Sequence, residues 1–374
     1  MSRKEKGNWL SKCLRLINIL VVAALVCSYL STLISPEKIP WLSFFGISFP
    51  IWMALNILFI ALWLARRKAI IFLSLITLSL GYFHVSNFIQ LSFSSSPEVK
   101  KNSFKVLSYN VKNFGLYSWK DNTEIRDSIM AKLDSIDADI MCFQEFYFSE
   151  REKGFQTKSI LQEQFQGIQF HEKYTHELIH HQYFGVATAS RFPILKKGYI
   201  EFFNDRNNFC IYSDLLIGLD TVRVFNGHFA SIRFSNSDYE IMEKIKKDTW
   251  SVKKEEMSSI LKRLKNASVK RASQIDEVMA EVAKSPFPVI LAGDFNDTPT
   301  SYAYCEARKL LEDAFVEAGN GIGNTYNGAF PSFRIDYILH DESFKAHKFK
   351  THQEKYSDHH AIQATLEMVK SLND

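Results

Sequence analysis

Three long stretches without a charged side chain, all within the first hundred residues, constrain this sequence more than any other feature. Residues 16–36, 39–65 and 69–97 contain no Asp, Glu, Lys or Arg. A bilayer core requires about 20 apolar residues per helix. We therefore predict transmembrane helices at residues 14–34, 42–64 and 69–91, with residues 1–91 as a multi-pass anchor in the lipid bilayer. A signal peptide in the first stretch, or buried helices of a soluble protein, are the alternatives.

The basic residues of this region predict its orientation. Five precede the first stretch and three lie between the second and third: Arg3, Lys4, Lys6, Lys12, Arg15, Arg66, Arg67 and Lys68. The loop between the first two stretches has only one acidic and one basic residue, Glu37 and Lys38. By the positive-inside rule the N-terminus is cytoplasmic, and three crossings then place everything after residue 91 outside the cytoplasm.

The same division of the chain explains its net charge of +4. Residues 1–100 contain ten Lys and Arg against three Asp and Glu, a net +7, so the remainder carries −3. A basic protein often binds nucleic acid, but here the excess positive charge belongs to the predicted anchor. The net charge therefore bears on membrane topology rather than on a partner.

Residues 92–103 form a polar stretch that we interpret as a linker. From residue 104 the pattern changes to short β-rich runs separated by helical segments. Strands are predicted at 105–111, 139–145, 185–194, 209–218, 221–229, 289–295 and 335–340, and helices at 123–136, 238–265, 269–284 and 301–312. Many strands with few helices between them favour an α/β sandwich.

Polar side chains follow several of these strands, at the point where each strand ends. They include Asn110, Glu145, His228, Asp294 and Asn296, and further acidic and histidine residues lie near 336 and 358. Any one of them alone has an ordinary explanation in turn formation. As a set they suit a site at one edge of the sandwich, and oxygen ligands of this kind favour Mg²⁺ or Mn²⁺ over zinc.

Seven short blocks occur in the order in which one known family has them: SYNVKNF, FQEF, ASRFPI, NGHFAS, GDFND, RIDYIL and SDHHA. On these motifs the chain resembles the endonuclease/exonuclease/phosphatase (DNase I-like) superfamily, as a membrane-anchored bacterial-type member. That superfamily includes nucleases, neutral sphingomyelinases, deadenylases and inositol-polyphosphate phosphatases. The resemblance implies a DNase I-like four-layer α/β sandwich over residues 104–368, after the N-terminal transmembrane helices.

The resemblance also implies roles for individual residues. Metal binding falls to Glu145 and Asp358. Catalysis falls to His228, Asp294, Asn296, Asp336 and His359. Contact with the phosphate falls to Asn110 and Arg191. Asp294 would position or deprotonate the attacking water, while Asp336 would orient His359 and favour its charged form. The chain departs from abasic-site endonucleases, which have an NVDG-like motif in the first block where this sequence has Asn-Val-Lys-Asn at residues 110–113.

The leading hypothesis is a membrane-anchored phosphoesterase that depends on Mg²⁺ or Mn²⁺ and hydrolyses phosphodiester or phosphomonoester bonds. An endonuclease acting on nucleic acid is the first candidate. A sphingomyelinase-like or inositol-phosphate phosphoesterase is the alternative, because tethering at a bilayer favours a lipid or small phosphoester substrate. A non-catalytic binding module on the same fold is the alternative of another class. The sequence indicates no protein partner.

Overall fold

A computed structural model of the chain describes residues 3–90, 102–118, 122–151, 154–178, 181–203, 205–234, 237–238, 240–241, 244, 254–328 and 333–369. Its twelve strands are β1 (Ser103–Asn110), β2 (Ile140–Ser149), β3 (Gln169–Leu178), β4 (Gln182–Ser190), β5 (Ile194–Phe202), β6 (Asp205–Ile217), β7 (Asp220–His228), β8 (Val289–Asp294), β9 (Glu312–Asp313), β10 (Asp336–His340), β11 (Phe344–His352) and β12 (Ala361–Met368). Two six-stranded sheets result, ordered β11-β12-β1-β2-β4-β3 and β5-β6-β7-β8-β10-β9.

The described helices are α1 (Arg3–Leu33), α2 (Leu42–Ile47), α3 (Phe49–Ala65), α4 (Ile71–Leu80), α5 (Tyr82–Phe88), α6 (Asn122–Ile136), α7 (Thr157–Gln164), α8 (Lys254–Val282), α9 (Tyr302–Ala307) and α10 (Ala314–Ala318), with a 3₁₀ turn at Lys112–Gly115. We call residues 3–90 the N-terminal helical region and residues 102–369 the sandwich region.

The two sheets pack face to face and each carries helices on its outer face. Apolar side chains of both sheets, such as Val106 of β1 and Ile290 of β8, share one buried cluster between the sheets. A second cluster joins α6 and α7 to the first sheet, and a third joins α8 and α9 to the second. The predicted α/β sandwich with four layers is therefore confirmed.

All seven predicted strands are present, but four long strands were missed. These are β3, β5, β11 and β12, of which β3, β5 and β11 lie at or next to a sheet edge and are rich in Lys, Glu and His. Polar edge strands discourage pairing with other chains and therefore give no hydrophobic signal. The helices predicted at 238–265 and 269–284 also differ, because α8 is continuous; residues 239, 242–243 and 245–253 lie outside the described part.

The N-terminal helical region differs from three straight spans. Within the described part of the chain, only Trp9–Leu33 is a single helix long and apolar enough to cross a membrane. The second predicted span is interrupted at Ser48, because Pro50 lies in the first turn of α3 and begins a new helix there. The third is divided at Gly81 into α4 and α5, which are bent by 65°. Multi-pass topology and orientation stay predictions.

Hydrogen bonds join the helical region to the sandwich region. The Ser31 hydroxyl, near the end of α1, donates to the Thr300 carbonyl at 3.2 Å, and the Thr300 hydroxyl donates to the Gly46 carbonyl of α2 at 2.7 Å. Gln90 forms a two-stranded bridge with Gly321. The end of α1, α2 and the segment after α5 therefore all lie against the sandwich region.

A buried ion pair lies at this junction. Arg334 donates to the carboxylate of Asp313 at 2.7 Å and to the carbonyl of Asn87 at 2.7 Å, and its guanidinium packs over Tyr304 and Phe315. Both charged side chains are almost fully buried. Removal of one partner would leave the other charge buried without compensation, which is more costly than loss of an exposed pair.

We therefore expect Arg334→Met to lower the thermal unfolding midpoint of the detergent-solubilised full chain by roughly 10 °C. Lys284→Met, which removes an exposed pair with Glu281, is the matched control and should have little effect. Intrinsic tryptophan fluorescence during heating measures both. Equal midpoints for the two variants would contradict the importance of the buried pair.

Candidate active site

The ends of four central strands meet at one edge of the sandwich. β1 and β2 are parallel, with Asn110 opposite Gln144, so Asn110 and Glu145 emerge together. β7 and β8 are also parallel, with His228 opposite Asp294. The first residue of β10, Asp336, lies opposite Asp294 in the antiparallel pairing of those strands. The topology therefore brings residues that are far apart in sequence to one place.

The segment before β12 completes this edge. The Ser357 hydroxyl donates to the carbonyl of Asn110 at 2.8 Å and accepts from the backbone N–H of His359 at 3.2 Å. Tyr326 forms a backbone bridge with His359, and their rings meet edge to face. These contacts hold Asp358 and His359 beside the end of β1.

Backbone irregularities aim two of the side chains. Glu145 has φ 47° and lies where the pairing of β2 with β4 shifts register, and Asn296 has φ 52°. Positive φ in residues other than glycine is strained and is concentrated at functional sites. A register shift of this kind turns a side chain away from its regular direction. Glu145 is thereby directed into the site.

Asp294 is the buried centre of the hydrogen-bond network. Its carboxylate accepts from the Asn110 amide at 3.1 Å, from the backbone N–H of Asn296 at 2.8 Å and from the Asn296 amide at 3.2 Å. The side chain is only 1% exposed. Burial raises the pKa of Asp294 above its ordinary value, and the charge of His359 partly opposes this. The carboxylate is thus held in one orientation by three donors.

His359 and Asp336 form a buried ion pair. The Nδ1 atom of His359 lies 3.1 and 3.0 Å from the two carboxylate oxygens of Asp336. Burial alone would lower the pKa of His359, but the charges of Asp336 and Asp294 outweigh it and raise the pKa to about 10. The hydroxyl of Thr325 accepts from the backbone N–H of Asp336 at 3.1 Å. His359 is therefore a fixed cation whose Nε2 faces Asp294 at 3.7 Å.

His228 presents an unpartnered atom to the same place. Its Nε2 is buried without a hydrogen-bond partner in the described part of the chain. The atom lies 3.8 Å from the Asp294 carboxylate and 4.0 Å from that of Glu145. Burial lowers the pKa of His228. Because an unsatisfied buried polar group is costly, this atom is suited to bind a substrate oxygen.

The donor set fits a hard divalent cation at Glu145. Among the described residues, Glu145 accepts only one hydrogen bond, a long one of 3.4 Å from Asn110, and its side chain is 36% exposed. Mg²⁺ is commonly bound through one or two carboxylates that keep such free oxygens. Asp294, Asp336 and His359 also offer ligand atoms within 4.8 Å of one another, although Asp336 and His359 already bond to each other.

Asp358, the other expected metal ligand, has a different partner. Its carboxylate accepts from the Lys112 ammonium at 2.8 Å. Lys112 has φ 45° and opens the 3₁₀ turn after β1. An ammonium here balances the charge that a second cation would otherwise balance. Metal binding through Asp358 therefore stays a prediction.

Arg191 is placed away from the other expected residues. Ser190, at the end of β4, pairs with Ile140 at the beginning of β2, whereas Gly185 pairs beside Glu145. Arg191 thus lies beside the opposite ends of these strands, on the order of 20 Å from the site by strand rise. It pairs with Asp137 and Asp139. The expected phosphate contact is corrected: Arg191 forms an ion pair at the other end of the strand.

The sequence interpretation also missed residues that line the site. Arg233 lines the cavity beside Glu145 and Asp294, with a half-exposed guanidinium that pairs with Asp205 at 3.0 Å. Its position five residues after His228, just beyond the NGHFAS block, was the only signal. Lys112, Thr325 and Ser357, which bond to residues of the site, were missed although Lys112 and Ser357 lie within family blocks, because no sequence spacing reveals these contacts.

Comparison with known proteins agrees with this geometry. The model of the endonuclease/exonuclease/phosphatase family matches residues 107–359. The chain therefore belongs to that family, whose members are in general hydrolases of phosphoester bonds. A second model, described only as a domain of unknown function, matches residues 11–88. No curated protein sequence matches the chain.

Solved structures share the sandwich fold at low sequence identity. An endonuclease/exonuclease/phosphatase family protein from Leptotrichia buccalis is 16% identical with a TM-score of 0.51, covering 71% of this chain and 100% of its own. The mannosyl-6-phosphatase of Bacteroides thetaiotaomicron is 17% identical with a TM-score of 0.51, covering 70% and 99%. The human Nocturnin catalytic domain is 15% identical with a TM-score of 0.52, covering 71% and 94%. These similarities establish the fold alone.

We expect Glu145→Gln to weaken Mn²⁺ binding by the full chain at least about tenfold, because a neutral amide replaces the carboxylate that is predicted to bind the metal. Lys112→Met should instead tighten binding, because it releases Asp358 from its ammonium partner. Electron paramagnetic resonance of free Mn²⁺ measures both affinities. Glu201→Gln, at an exposed pair with Lys173, is the control. Unchanged affinity in Glu145→Gln would place the metal elsewhere.

Proposed function

We propose that this protein is a membrane-anchored hydrolase of phosphoester bonds that depends on a divalent cation held by Glu145. One observation carries the proposal: the His359–Asp336 ion pair, the buried Asp294 and the unpartnered His228 Nε2 surround the same small space. Both imidazole Nε2 atoms lie 3.7–3.8 Å from Asp294. These separations exceed a direct hydrogen bond, so the two Nε2 atoms stay available to an oxygen atom that enters beside Asp294.

The residues suit in-line attack of water on phosphorus. Asp294 would orient the water and accept its proton while the new P–O bond forms. His359, held as a cation by Asp336, would donate to a phosphoryl oxygen whose charge grows as the P–O ester bond breaks. The ester oxygen leaves with the electrons of the broken P–O bond and takes a proton from solvent, so the alcohol departs while Asp294 returns the proton of the water to solvent. When it is bound, a divalent cation would neutralise part of the negative charge of the phosphoryl group.

Asn110, Asn296 and His228 act around this step. The Asn110 and Asn296 amides both donate to Asp294, so they keep its lone pair directed at the water position. His228 would donate to a second phosphoryl oxygen through its Nε2, for which the described part of the chain offers no other partner. The presence of all these groups in bonding geometry favours catalysis over a non-catalytic binding module.

We expect His359→Ala and Asp294→Asn each to lower hydrolysis at least about 100-fold. The assay uses the full chain in detergent with Mg²⁺ or Mn²⁺ and two chromogenic substrates, p-nitrophenyl phosphate and bis(p-nitrophenyl) phosphate, which separate monoesterase from diesterase activity. Arg191→Gln should change the rate by no more than about twofold, because Arg191 lies at the far edge of the sheet. Retention of full rate in His359→Ala would overturn the assignment.

We further propose that the N-terminal helical region crosses the membrane with the sandwich region outside the cytoplasm. Asn18 of α1 bonds to Trp63 near the end of α3 and to Ser74 of α4, whereas Ser31 of α1 contacts the sandwich region. The 13 residues from Asn18 to Ser31 span roughly 20 Å of helix. The basic residues beside Asn18 and Trp63 thus lie at the end remote from the sandwich region, as the positive-inside rule requires.

This topology predicts that protease added to right-side-out membrane vesicles digests the sandwich region, while in inverted vesicles the region is protected. Immunoblotting for a C-terminal epitope reports the result. A cytoplasmic marker protein trapped in the right-side-out vesicles controls for leakage. Digestion only in the inverted vesicles would reverse the proposed orientation.

A further inference from the structure

The wall of the active-site cavity includes a residue of the N-terminal helical region. A cavity of about 240 Å³ lies over Glu145, Asp294 and His359, and Ile47 of α2 is one of its lining residues. The other apolar residues that line it come from the sandwich region: Ile232, Phe234, Leu264, Phe333 and Ile335. Apolar side chains therefore line part of the cavity, next to the residues proposed to act on the phosphate.

Ile47 is held in this position by close backbone packing. The preceding residue, Gly46, accepts the hydrogen bond from Thr300, and a Cβ atom there would lie 2.5 Å from the Ser31 hydroxyl and 2.6 Å from the Thr300 carbonyl. Only glycine allows this approach. Thr300 belongs to the loop that follows Asp294 and Asn296, so the same loop positions the catalytic carboxylate and α2.

The helix that carries Ile47 has the composition of a membrane interface. α2 has the sequence LSFFGI, it follows the exposed Trp41, and it lies at the end of α1, which is long and apolar enough to span a bilayer. Lys265 of α8 lies over the Trp41 ring at 5.4 Å. Aromatic residues with nearby cations are typical of the level of lipid headgroups. The apolar side of the cavity thus lies next to the proposed bilayer surface.

A second cavity, of about 430 Å³, adjoins the site on another side and has a mixed lining. Glu145, Ser231 and Arg233 line both cavities. The rest of its lining combines the polar side chains of Asn113, Thr175, Asn207, Asn208 and His228 with Phe184, Gly185 and Val186. A phosphate near Glu145 and Arg233 would therefore have the Ile47 side of the first cavity on one side and the amide and hydroxyl groups of the second cavity on the other.

We infer that the substrate is an amphiphilic phosphoester drawn from the membrane surface, with its apolar chain against Ile47 and its polar group in the second cavity. This inference rests on the proposed phosphoester hydrolysis and names the class of substrate. Hydrolysis adds water across one P–O bond and requires no other reactant. Ile47 is then a specificity-determining residue that the N-terminal helical region contributes to the site.

Alkyl p-nitrophenyl phosphates test the inference, because the leaving group stays constant while the alkyl chain changes from methyl to octyl. Below the critical micelle concentration, kcat/KM of the wild-type full chain should rise at least about tenfold from methyl to octyl. Ile47→Ser should abolish most of this ratio. Ile322→Ser, at a more exposed isoleucine outside the cavity lining, should retain it.

Each result distinguishes the two proposals. If the methyl ester is hydrolysed in a His359-dependent way and the octyl ester is hydrolysed no faster, the inference is overturned and the proposed function stands. The same octyl preference in Ile47→Ser as in wild type also overturns it. A further comparison uses dodecyl p-nitrophenyl phosphate in phosphatidylcholine vesicles and plasmid DNA. Faster cleavage of the plasmid DNA would indicate a nucleic-acid substrate instead. Absence of His359-dependent hydrolysis of every ester would overturn the proposed function itself.

Discussion

The arrangement of the site depends on one buried carboxylate at the edge where the two sheets meet. Asp294 ends a central strand, and the donors that hold it come from the first sheet, through Asn110, and from the loop after its own strand, through Asn296. A charge in this environment is unfavourable unless hydrogen bonds or opposite charges compensate it. The charge of His359 and the two amides supply that compensation. The relative position of the sheets and the chemistry of the site are therefore determined together.

Asp294 can reach this place because the two central strands β7 and β8 approach each other closely. Gly293, just before Asp294, has φ 151°, and a Cβ atom there would lie 2.0 Å from the Gly227 carbonyl on the neighbouring strand. Glycine at this point allows β7 and β8 to bring His228 and Asp294 side by side. Thr300 then extends the same loop to α2, so that the N-terminal helical region and the catalytic edge share one segment of chain.

Much of the sandwich was predictable because its central strands are buried and apolar. β1, β2, β7, β8 and β10 all gave short β-rich runs, and each delivers a polar residue at or beside its end. β3, β5 and β11 gave no such signal, since lysines and glutamates at a sheet edge are typical of exposed segments. Arg191 shows the limit of motif reasoning: it belongs to a family block, yet its strand carries it to the opposite edge. The ion pair of Lys112 with Asp358 joins residues that are 246 positions apart, so no local pattern predicts it.

The sequence by itself determined the division into an apolar N-terminal region and an α/β sandwich, the family, and most residues of the candidate site. Hydrophobic periodicity and short motifs are local properties, so they can be recognised without coordinates. Only the tertiary structure decided that Ser48 and Gly81 divide the second and third apolar stretches into shorter helices, and that Ile47 reaches the cavity. Pro50 is a local reason for the first of these divisions, but the position of Ile47 depends on a backbone approach between distant segments, Gly46 with Thr300, which no local pattern records.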